Sequence, residues 1–304
     1  MSNLQPTSVV IVGSANLDTV FSVQRMPKPG ETLLAERAQH HPGGKGLNQA
    51  VACARSGATT TFIGALGNDQ AGDRLAEVMD SAGIRRDLVR RSERDTGQGF
   101  IVVDDAAENM IVVASGANAT MRELTEAEEQ AITGARVVLM QLELPLDLVT
   151  QAAIAAESAG CAVMLNAAPA TTLPPELLGR LDYLIVNEHE ACLLAGADEL
   201  AEASLALAKQ VKRLIVTLGA DGSAAFEHGV PIGTVSPPAV TALDTTGAGD
   251  TYCGALAAAV ADGRTLIDAV RFATAAAALS VETVGAVSSI PARSRIESKL
   301  EERW

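Results

Sequence analysis

One segment of the sequence has residue types and spacing suited to chemistry on an anion: DTTGAGD, residues 244–250. Gly247, Ala248 and Gly249 precede an alanine-rich helical pattern, so their backbone N–H groups and the helix N-terminus can converge on a phosphoryl group. Asp250 would then stand close enough to take a proton from an attacking hydroxyl, which predicts phosphoryl transfer to an alcohol. The structural alternative is that Asp250 merely caps the helix.

Neither of the two common nucleotide-binding fingerprints accounts for the glycines of this chain. A dinucleotide-binding turn starting at Gly247 needs glycine or alanine at position 252, where the sequence has Tyr252. A Walker-type phosphate loop needs serine or threonine after its lysine, but Lys45 is followed by Gly46. We therefore exclude both readings.

Two further clusters offer donors and acceptors for a ligand rich in hydroxyl groups. The glycine-rich stretch 43–48 joins a loop to a helix and presents the cation of Lys45 and the amide of Asn48; its alternative is a flexible loop with a solvated lysine. Asn16 and Asp18 follow the first strand, where open α/β sheets bind ligands, and a carboxylate can accept from two vicinal hydroxyls. Asx residues also stabilise turns, so this spacing alone is weak.

These clusters lie in an alternation of short apolar strands and helical patterns. Most helical patterns end at a glycine, and residues 125–128 (TEAE, the pattern T-x-x-E) predict a capping box. Strands are predicted at 8–13, 60–65, 136–142, 162–166, 183–186 and 214–217, with a hairpin region at 222–238. Helices are predicted at 46–56, 71–82, 125–134, 146–159, 199–210, 250–262 and 265–281.

The alternation predicts an α/β fold with a doubly wound, mostly parallel sheet flanked by helices. Two segments interrupt it, at about 19–36 and 96–113, and both read as hairpin-forming strands of a small accessory sheet, or lid. No linker is rich enough in Pro, Ser or Gly to separate autonomous domains. We therefore expect residues 1–304 to form a single α/β domain with an inserted lid.

Composition narrows the classes of partner. The 304 residues carry a net charge of −14 and only 3% aromatic residues, which argues against nucleic-acid and membrane-surface binding. The polar N-terminus is followed by an apolar run too short for a signal peptide, and no stretch is long enough to span a membrane, so we expect a cytoplasmic protein. The cysteines are widely spaced and predict buried, reduced thiols: Cys53, Cys161, Cys192 and Cys253.

Taken together, the motifs resemble the ribokinase (PfkB) family of carbohydrate kinases, and the match runs nearly end to end. The stretches that carry it are GSANLD (13–18), PGGKGLNQA (42–50), GANA (116–119), MQLELP (140–145), NAAPA (166–170), NEHE (187–190), TLGADG (217–222), DTTGAGD (244–250) and RFATAAAALSV (271–281). Leu47 is bulkier than the small residue often found at that position in the family, which bears on sugar specificity.

The resemblance implies transfer of the γ-phosphoryl group of ATP to the 5-hydroxyl of ribose, with Asp250 as the catalytic base. It implies that the sugar is held by Asn16, Asp18, Gly44, Lys45, Asn48, Glu143 and Asp250. It implies that the nucleotide is held by Asn187, Thr217, Gly219, Asp221, Gly222, Gly247, Ala248, Gly249 and Thr274.

The resemblance also implies two metal ions and a homodimer formed through the lid. Glu190, with Asn187, would position the magnesium–phosphate unit, and K⁺ would be bound by oxygen atoms of Asp244, Thr246, Val281, Gly285 and Ser289. Two other functions remain open: a kinase of 2-deoxyribose or a nucleoside, and a sugar sensor without catalytic activity.

Overall fold

The computed structural model describes residues 7–106 and 108–302, which form two β-sheets and the helices that cover the larger one. The strands are β1 Ser8–Val12, β2 Asn16–Val23, β3 Arg37–Gly43, β4 Thr59–Gly67, β5 Val89–Ser92, β6 Gly97–Asp104, β7 Asn109–Ala114, β8 Val137–Met140, β9 Ala162–Asn166, β10 Tyr183–Asn187, β11 Arg213–Thr217, β12 Ser223–Glu227 and β13 Val230–Val235. The helices are α1 Lys45–Arg55, α2 Gln70–Ser81, α3 Glu126–Thr133, α4 Leu146–Ser158, α5 Pro175–Leu178, α6 Glu188–Ala195, α7 Leu200–Ala208, α8 Ala248–Ala261, α9 Leu266–Ser280, α10 Ala286–Ser289 and α11 Arg293–Glu301.

The larger sheet has the order β13-β12-β11-β10-β9-β8-β1-β4-β5. Every neighbouring pair from β11 to β5 is parallel, and β12 and β13 continue the sheet in antiparallel orientation. The order reverses at β1, because β4 lies on one side of it and β8 on the other. The predicted fold class, a doubly wound and mostly parallel α/β sheet, is confirmed.

Both faces of this sheet are buried, and the side chains of β1 contribute to the apolar cluster on each face. Val9 and Ile11 belong to the apolar cluster that includes α1, α8 and α9. Val10 and Val12 point to the opposite face and belong to the cluster that includes α4 and α7. Because successive side chains of a strand alternate between faces, a strand covered on both sides must be apolar throughout.

The smaller sheet has the order β3-β2-β6-β7 and is built from the two segments that interrupt the alternation. The hairpin β6–β7 lies where 96–113 predicted it. The prediction for 19–36 was wrong in part: β2 begins earlier, residues 24–36 contain no strand, and its partner β3 starts only at Arg37. Pro27 and Pro29 lie in that loop, and proline cannot donate the backbone hydrogen bond that a paired strand needs.

The helix signals mostly hold. Thr125 and Glu128 form the predicted capping box of α3, and Gly57, Gly83 and Gly160 follow their helices with positive φ.

The cysteine prediction was wrong for Cys192, which is half-exposed on α6, whereas the other three thiols are buried, and all four are free. Within the described part of the chain, no helix combines the length and apolarity needed to cross a bilayer.

Candidate active site

The carboxyl ends of the parallel strands bring a group of the predicted site residues together at one edge of the larger sheet. Loops leaving β1, β8, β9, β10 and β11 all open at this edge, since these strands run in the same direction. A cleft of about 150 Å³ lies there. Seven of the predicted site residues line it: Lys45, Asn187, Glu190, Thr217, Gly247, Gly249 and Asp250.

Asp250 lies in the first turn of α8 but does not cap it. The N-cap is Gly247, in a left-handed conformation with φ 75°, and no side chain caps the helix. The carboxylate of Asp250 instead accepts hydrogen bonds from two side-chain amides of α1, Asn48 Nδ2 and Gln49 Nε2, each at 2.9 Å. The simple N-cap reading is therefore wrong, and the acid is held beside the helix N-terminus by side chains from another element.

Close packing of α1 on α8 allows these amides to reach Asp250. A Cβ placed on Gly254, one turn after Asp250, would lie 2.3 Å from the carbonyl oxygen of Gln49 and 2.6 Å from Cβ of Ala52. Glycine is required at this crossing for the two helix backbones to approach so closely. The sequence signal for it was the run of small residues in α8.

Lys45 lies at the centre of several acidic groups. Burial alone would lower its pKa, but the carboxylates of Asp250, Glu143 and Glu190 outweigh this and hold the pKa of Lys45 above its usual value. Burial has the opposite effect on Glu190 and raises its pKa. The backbone N–H of Asn187 and the ammonium of Lys45 partly offset this rise. The site therefore keeps a charged ammonium among its carboxylates.

Glu143 fixes the beginning of α1. Its Oε2 accepts a hydrogen bond from Ser14 Oγ and another, at 3.1 Å, from the backbone N–H of Lys45. A carboxylate at a helix N-terminus satisfies a free N–H group and interacts favourably with the helix dipole. Gly44 precedes the helix with φ 87°, where its Cβ would lie 2.8 Å from the backbone nitrogen of Asn16, so only glycine fits this turn.

Asp18 stands on β2 between two glycines of neighbouring strands. A Cβ on Gly43 would lie 2.0 Å from Asp18 Oδ2, and one on Gly99 would lie 2.4 Å from Oδ1. Burial, Glu143 and Asp250 together raise the pKa of Asp18 to about 6, although the backbone N–H of Gly99 opposes the shift. The glycines thus make room for a carboxylate in a crowded, acidic setting.

Asn118, which we did not single out from the sequence, orients Asn16. The Oδ1 of Asn118 accepts a hydrogen bond from the backbone N–H of Ala15 at 3.2 Å. The Nδ2 of Asn118 donates to Asn16 Oδ1 at 2.8 Å. The amide nitrogen of Asn16 is then the group left to donate to a ligand. Asn118 belongs to the GANA stretch, so a signal was present.

The predicted nucleotide residues after β10 and β11 form two local structures. Asn187 and Glu190 build a capping box at the start of α6, with backbone-to-side-chain hydrogen bonds of 2.9 and 2.8 Å. Gly219 and Asp221 lie in a short 3₁₀ turn. A Cβ on Gly222, which follows with φ 92°, would lie 2.0 Å from the carbonyl oxygen of Val235.

Thr274 and the start of α8 complete the predicted nucleotide set. Thr274 is buried, and its hydroxyl is hydrogen-bonded to Ser223 Oγ at 3.0 Å rather than lining the cleft. Ala248 opens α8, and a Cβ on the exposed Gly249 would meet no atom within 4 Å. Gly249 is therefore open to a ligand at the helix N-terminus, whereas the N–H of Ala248 donates to Thr245 O at 3.2 Å and the Thr274 hydroxyl already has a partner.

The predicted K⁺ residues gather around a loop carboxylate. Asp244 accepts from the backbone N–H groups of Thr246 at 2.9 Å and Gly285 at 2.7 Å, and these bonds outweigh burial to lower its pKa. The carbonyl of Val281 accepts from the Asp244 N–H at 3.2 Å. Ser289 is buried, and its hydroxyl donates to Ala286 O at 2.8 Å. Four of the five residues are thus linked by hydrogen bonds.

Other side chains at this edge were also missed. Gln49, Gln141 and Asn166 form a buried hydrogen-bonded group with Asp250. Each belongs to a motif quoted above, but its role depends on contacts between residues far apart in the chain.

Comparisons with known proteins identify the family of this chain. The model of the pfkB family carbohydrate kinases matches residues 6–293. Ribokinase of Haemophilus influenzae is 40% identical over 302 residues, covering 97% of this chain and 98% of that protein, and ribokinase of Staphylococcus aureus is 39% identical, covering 93% and 96%. The structure of Arabidopsis thaliana ribokinase complexed with ribose and ATP has a TM-score of 0.92 and 37% identity, covering 98% of this chain and 99% of that one. This chain belongs to the pfkB family of carbohydrate kinases.

Proposed function

We propose that this protein transfers the γ-phosphoryl group of ATP to the 5-hydroxyl of D-ribose, giving D-ribose 5-phosphate and ADP. The observation that carries the proposal is the carboxylate of Asp250, fixed by two amides in the first turn of α8 and close enough to Asp18, Lys45 and Glu190 to influence their titration. An acid so placed can receive the hydroxyl proton beside an anion-binding helix end. Similarity to ribokinases supports ribose as the acceptor.

In the proposed reaction, Asp250 accepts the proton of the 5-hydroxyl as the sugar oxygen bonds to the γ-phosphorus. The bond between that phosphorus and the bridging oxygen breaks, and ADP leaves with the electron pair. The backbone N–H groups of Gly247 and Gly249 and the ammonium of Lys45 would stabilise the transferred charge, and the N–H of Ala248 would join them on leaving Thr245 O. Positioning and charge stabilisation supply most of the rate acceleration in such transfers.

Several polar atoms are suited to the hydroxyl groups of a sugar. Asn48 Oδ1 is buried and has no hydrogen-bond partner in the described structure, so it is an acceptor available to a ligand hydroxyl. Asn16 offers a donor and Asp18 an acceptor. We propose that these three residues, with Gly44, Lys45 and Glu143, hold ribose.

The donor sets at two positions suit the expected metal ions. Glu190 is a half-buried carboxylate on the cleft, which fits Mg²⁺ because this ion keeps several waters and uses few protein ligands. Asp244 with the neighbouring carbonyl groups offers oxygen ligands, which suit K⁺. Bound Mg²⁺ would neutralise phosphate charge, and we propose Glu190 and Asn187 as residues that hold it with the nucleotide.

An ATP-consumption assay across pentoses, hexoses and nucleosides, with and without K⁺, tests the proposed function. We expect turnover with D-ribose, and less with 2-deoxyribose because Asp18 loses a hydroxyl partner. Higher kcat/KM with 2-deoxyribose or a nucleoside would establish the alternative kinase, and sugar binding without ATP turnover would establish the sensor.

We propose that the protein works in the cytoplasm, consistent with its four free thiols.

Ribose binding is expected to weaken as the pH falls through about 6, the pKa of Asp18. Above this pH the side chain is an ionised acceptor for two hydroxyls, and below it the proton occupies one acceptor site. If binding requires the ionised form, the ribose Kd at pH 5 should be about tenfold higher than at pH 8. Calorimetric titration checks this, with the Asp18→Asn variant as the control that should show no such dependence. A constant Kd for the unmodified protein would contradict the prediction.

Exposed apolar side chains on the lid favour a homodimer. Strand β7 is an edge strand whose apolar side chains are exposed, among them Ile111 at 55% and Val112 at 60%, and Phe100 lies beside Val112 on β6. An exposed apolar edge of this kind is a typical pairing surface. We propose that two copies pair through their lids.

Changing Val112 to Glu is expected to dissociate this dimer, because it places a charge in the apolar contact. Val230→Glu is the matched control, since Val230 is equally exposed, at 58%, on β13 of the other sheet. Sedimentation at micromolar concentration should show dimers for the unmodified chain and the control, and monomers for Val112→Glu. A monomeric unmodified chain would contradict the proposal.

A further inference from the structure

A buried chain of side-chain amides stands behind Asp250. Gln141 Nε2 donates to Gln49 Oε1 at 2.7 Å. Gln49 Nε2 donates to Asp250 Oδ1 at 2.9 Å and to Asn166 Oδ1 at 3.0 Å. Asn166 Nδ2 in turn donates to the backbone carbonyl of Ile185 at 3.2 Å. Gln49 is fully buried and Gln141 and Asn166 are nearly so, so none of these bonds is exchanged readily for water.

The direction of this chain is fixed at the Ile185 end. A backbone carbonyl can only accept, so Asn166 must present its nitrogen there and its oxygen to Gln49. Gln49 must then present Nε2 to Asn166, and the same nitrogen faces Asp250. Its Oε1 is left for Gln141, which donates. Each amide orientation therefore follows from one main-chain oxygen.

The fixed direction of the amide chain leaves Gln141 with an unsatisfied acceptor. With its Nε2 committed to Gln49, its buried Oε1 has no hydrogen-bond partner among the described residues. Turning the Gln141 amide over would set two oxygen acceptors, its own Oε1 and that of Gln49, against each other. An unpartnered buried acceptor is unfavourable, so the network retains it only as a consequence of the direction set at Ile185.

We propose that Gln49 is a positioning residue for the catalytic base, which holds Oδ1 of Asp250 as a hydrogen-bond acceptor and so fixes the carboxylate for proton transfer through its other oxygen. This inference rests on the proposed function. Asn48, the other partner, has its direction set by Asp250 Oδ2 alone, because its own Oδ1 is unpartnered, and its amide can turn over once Oδ2 carries the proton. Gln49 cannot turn, because its Nε2 also donates to Asn166 Oδ1, whose direction is fixed at the Ile185 carbonyl.

The Gln49→Met variant tests the proposal, because methionine has similar size but cannot donate. We expect kcat for ribose to fall by about tenfold or more while the ribose Kd changes by less than about threefold, since the sugar contacts remain. The matched control is Gln141→Met, which removes a buried amide of equal size from the same group without altering the donor to Asp250. Its kcat should stay within about threefold of the unmodified enzyme.

A double-mutant cycle separates positioning from a purely structural role. In an Asp250→Asn background there is no carboxylate left to orient, so Gln49→Met should lower the residual kcat by less than about threefold. A general loss of packing would instead lower kcat by the same factor in both backgrounds, and that result would overturn the proposal. So would an equal loss in Gln49→Met and Gln141→Met.

A second variant is used if Gln49→Met does not fold, as judged by its thermal transition. Gln49→Glu keeps the size and polarity of the side chain but puts an oxygen where Asp250 meets Nε2, so kcat should fall at least as far as expected for Gln49→Met. Retention of kcat in either folded variant overturns the inference. The proposed function fails differently, through an unmodified enzyme that does not consume ATP with ribose.

Discussion

Replacement of Asp250 by asparagine is expected to lower kcat for ribose phosphorylation by at least about 100-fold, the usual contribution of a general base. An asparagine amide cannot take the hydroxyl proton. The ribose Kd should change by less than about tenfold, because Asn16 and Asp18 keep their contacts. Steady-state assays with ribose and calorimetric titration of ribose measure the two quantities separately.

The structure explains why this substitution should not unfold the site. Gln49 Nε2 would meet the side-chain oxygen of the new asparagine, and the new amide nitrogen would face Asn48. Asn48 Oδ1 is buried without a partner, so this amide can turn over and accept. Asp262→Asn, at the C-cap of α8 and about 18 Å away along the helix, is the control that should keep kcat. A kcat of Asp250→Asn within about tenfold of the unmodified enzyme would refute the assignment of the base.

The larger sheet could be predicted from the sequence because local patterns determine its parts. A strand such as β1, buried on both faces, must be continuously apolar, and a glycine with positive φ ends each of α1, α2 and α4 close to its predicted end. The same patterns placed β6–β7. They failed for β3, because its residues RAQHHPG include no large apolar side chain, only Gly43 among them is buried, and they carry no strand periodicity.

The candidate site was predictable as a set of motifs but not as an arrangement. The role of Asp250 depended on whether it capped α8, and only the contacts from α1 decide this. Gln49 and Asn118 are polar residues inside recognised motifs, yet their importance comes from partners about 200 and 100 positions away in the chain. Hydrogen-bond direction between such residues is a property of the folded chain and has no local sequence signal.

Contacts with Asp18, which is distant in the chain, also make Gly43 and Gly99 sensitive to substitution. Changing Gly43 to alanine is expected to lower kcat/KM for ribose by about 100-fold, because small displacements of a binding group in a closed site have effects of this size. The new Cβ would lie 2.0 Å from Asp18 Oδ2, so the carboxylate must leave its position between β3 and β6. The strand itself should tolerate alanine, since Gly43 does not have positive φ.

Gly99→Ala provides an independent route to the same displacement, because its Cβ would lie 2.4 Å from the other oxygen, Oδ1. Gly179→Ala is the matched control: Gly179 has φ −64° and its Cβ would meet no atom closer than 3.5 Å. The loss in the two lid variants should appear as a weaker ribose Kd with little change in ATP binding, since Asp18 is assigned to the sugar alone. If both variants bind ribose as the unmodified enzyme does, Asp18 is not the group that recognises the sugar.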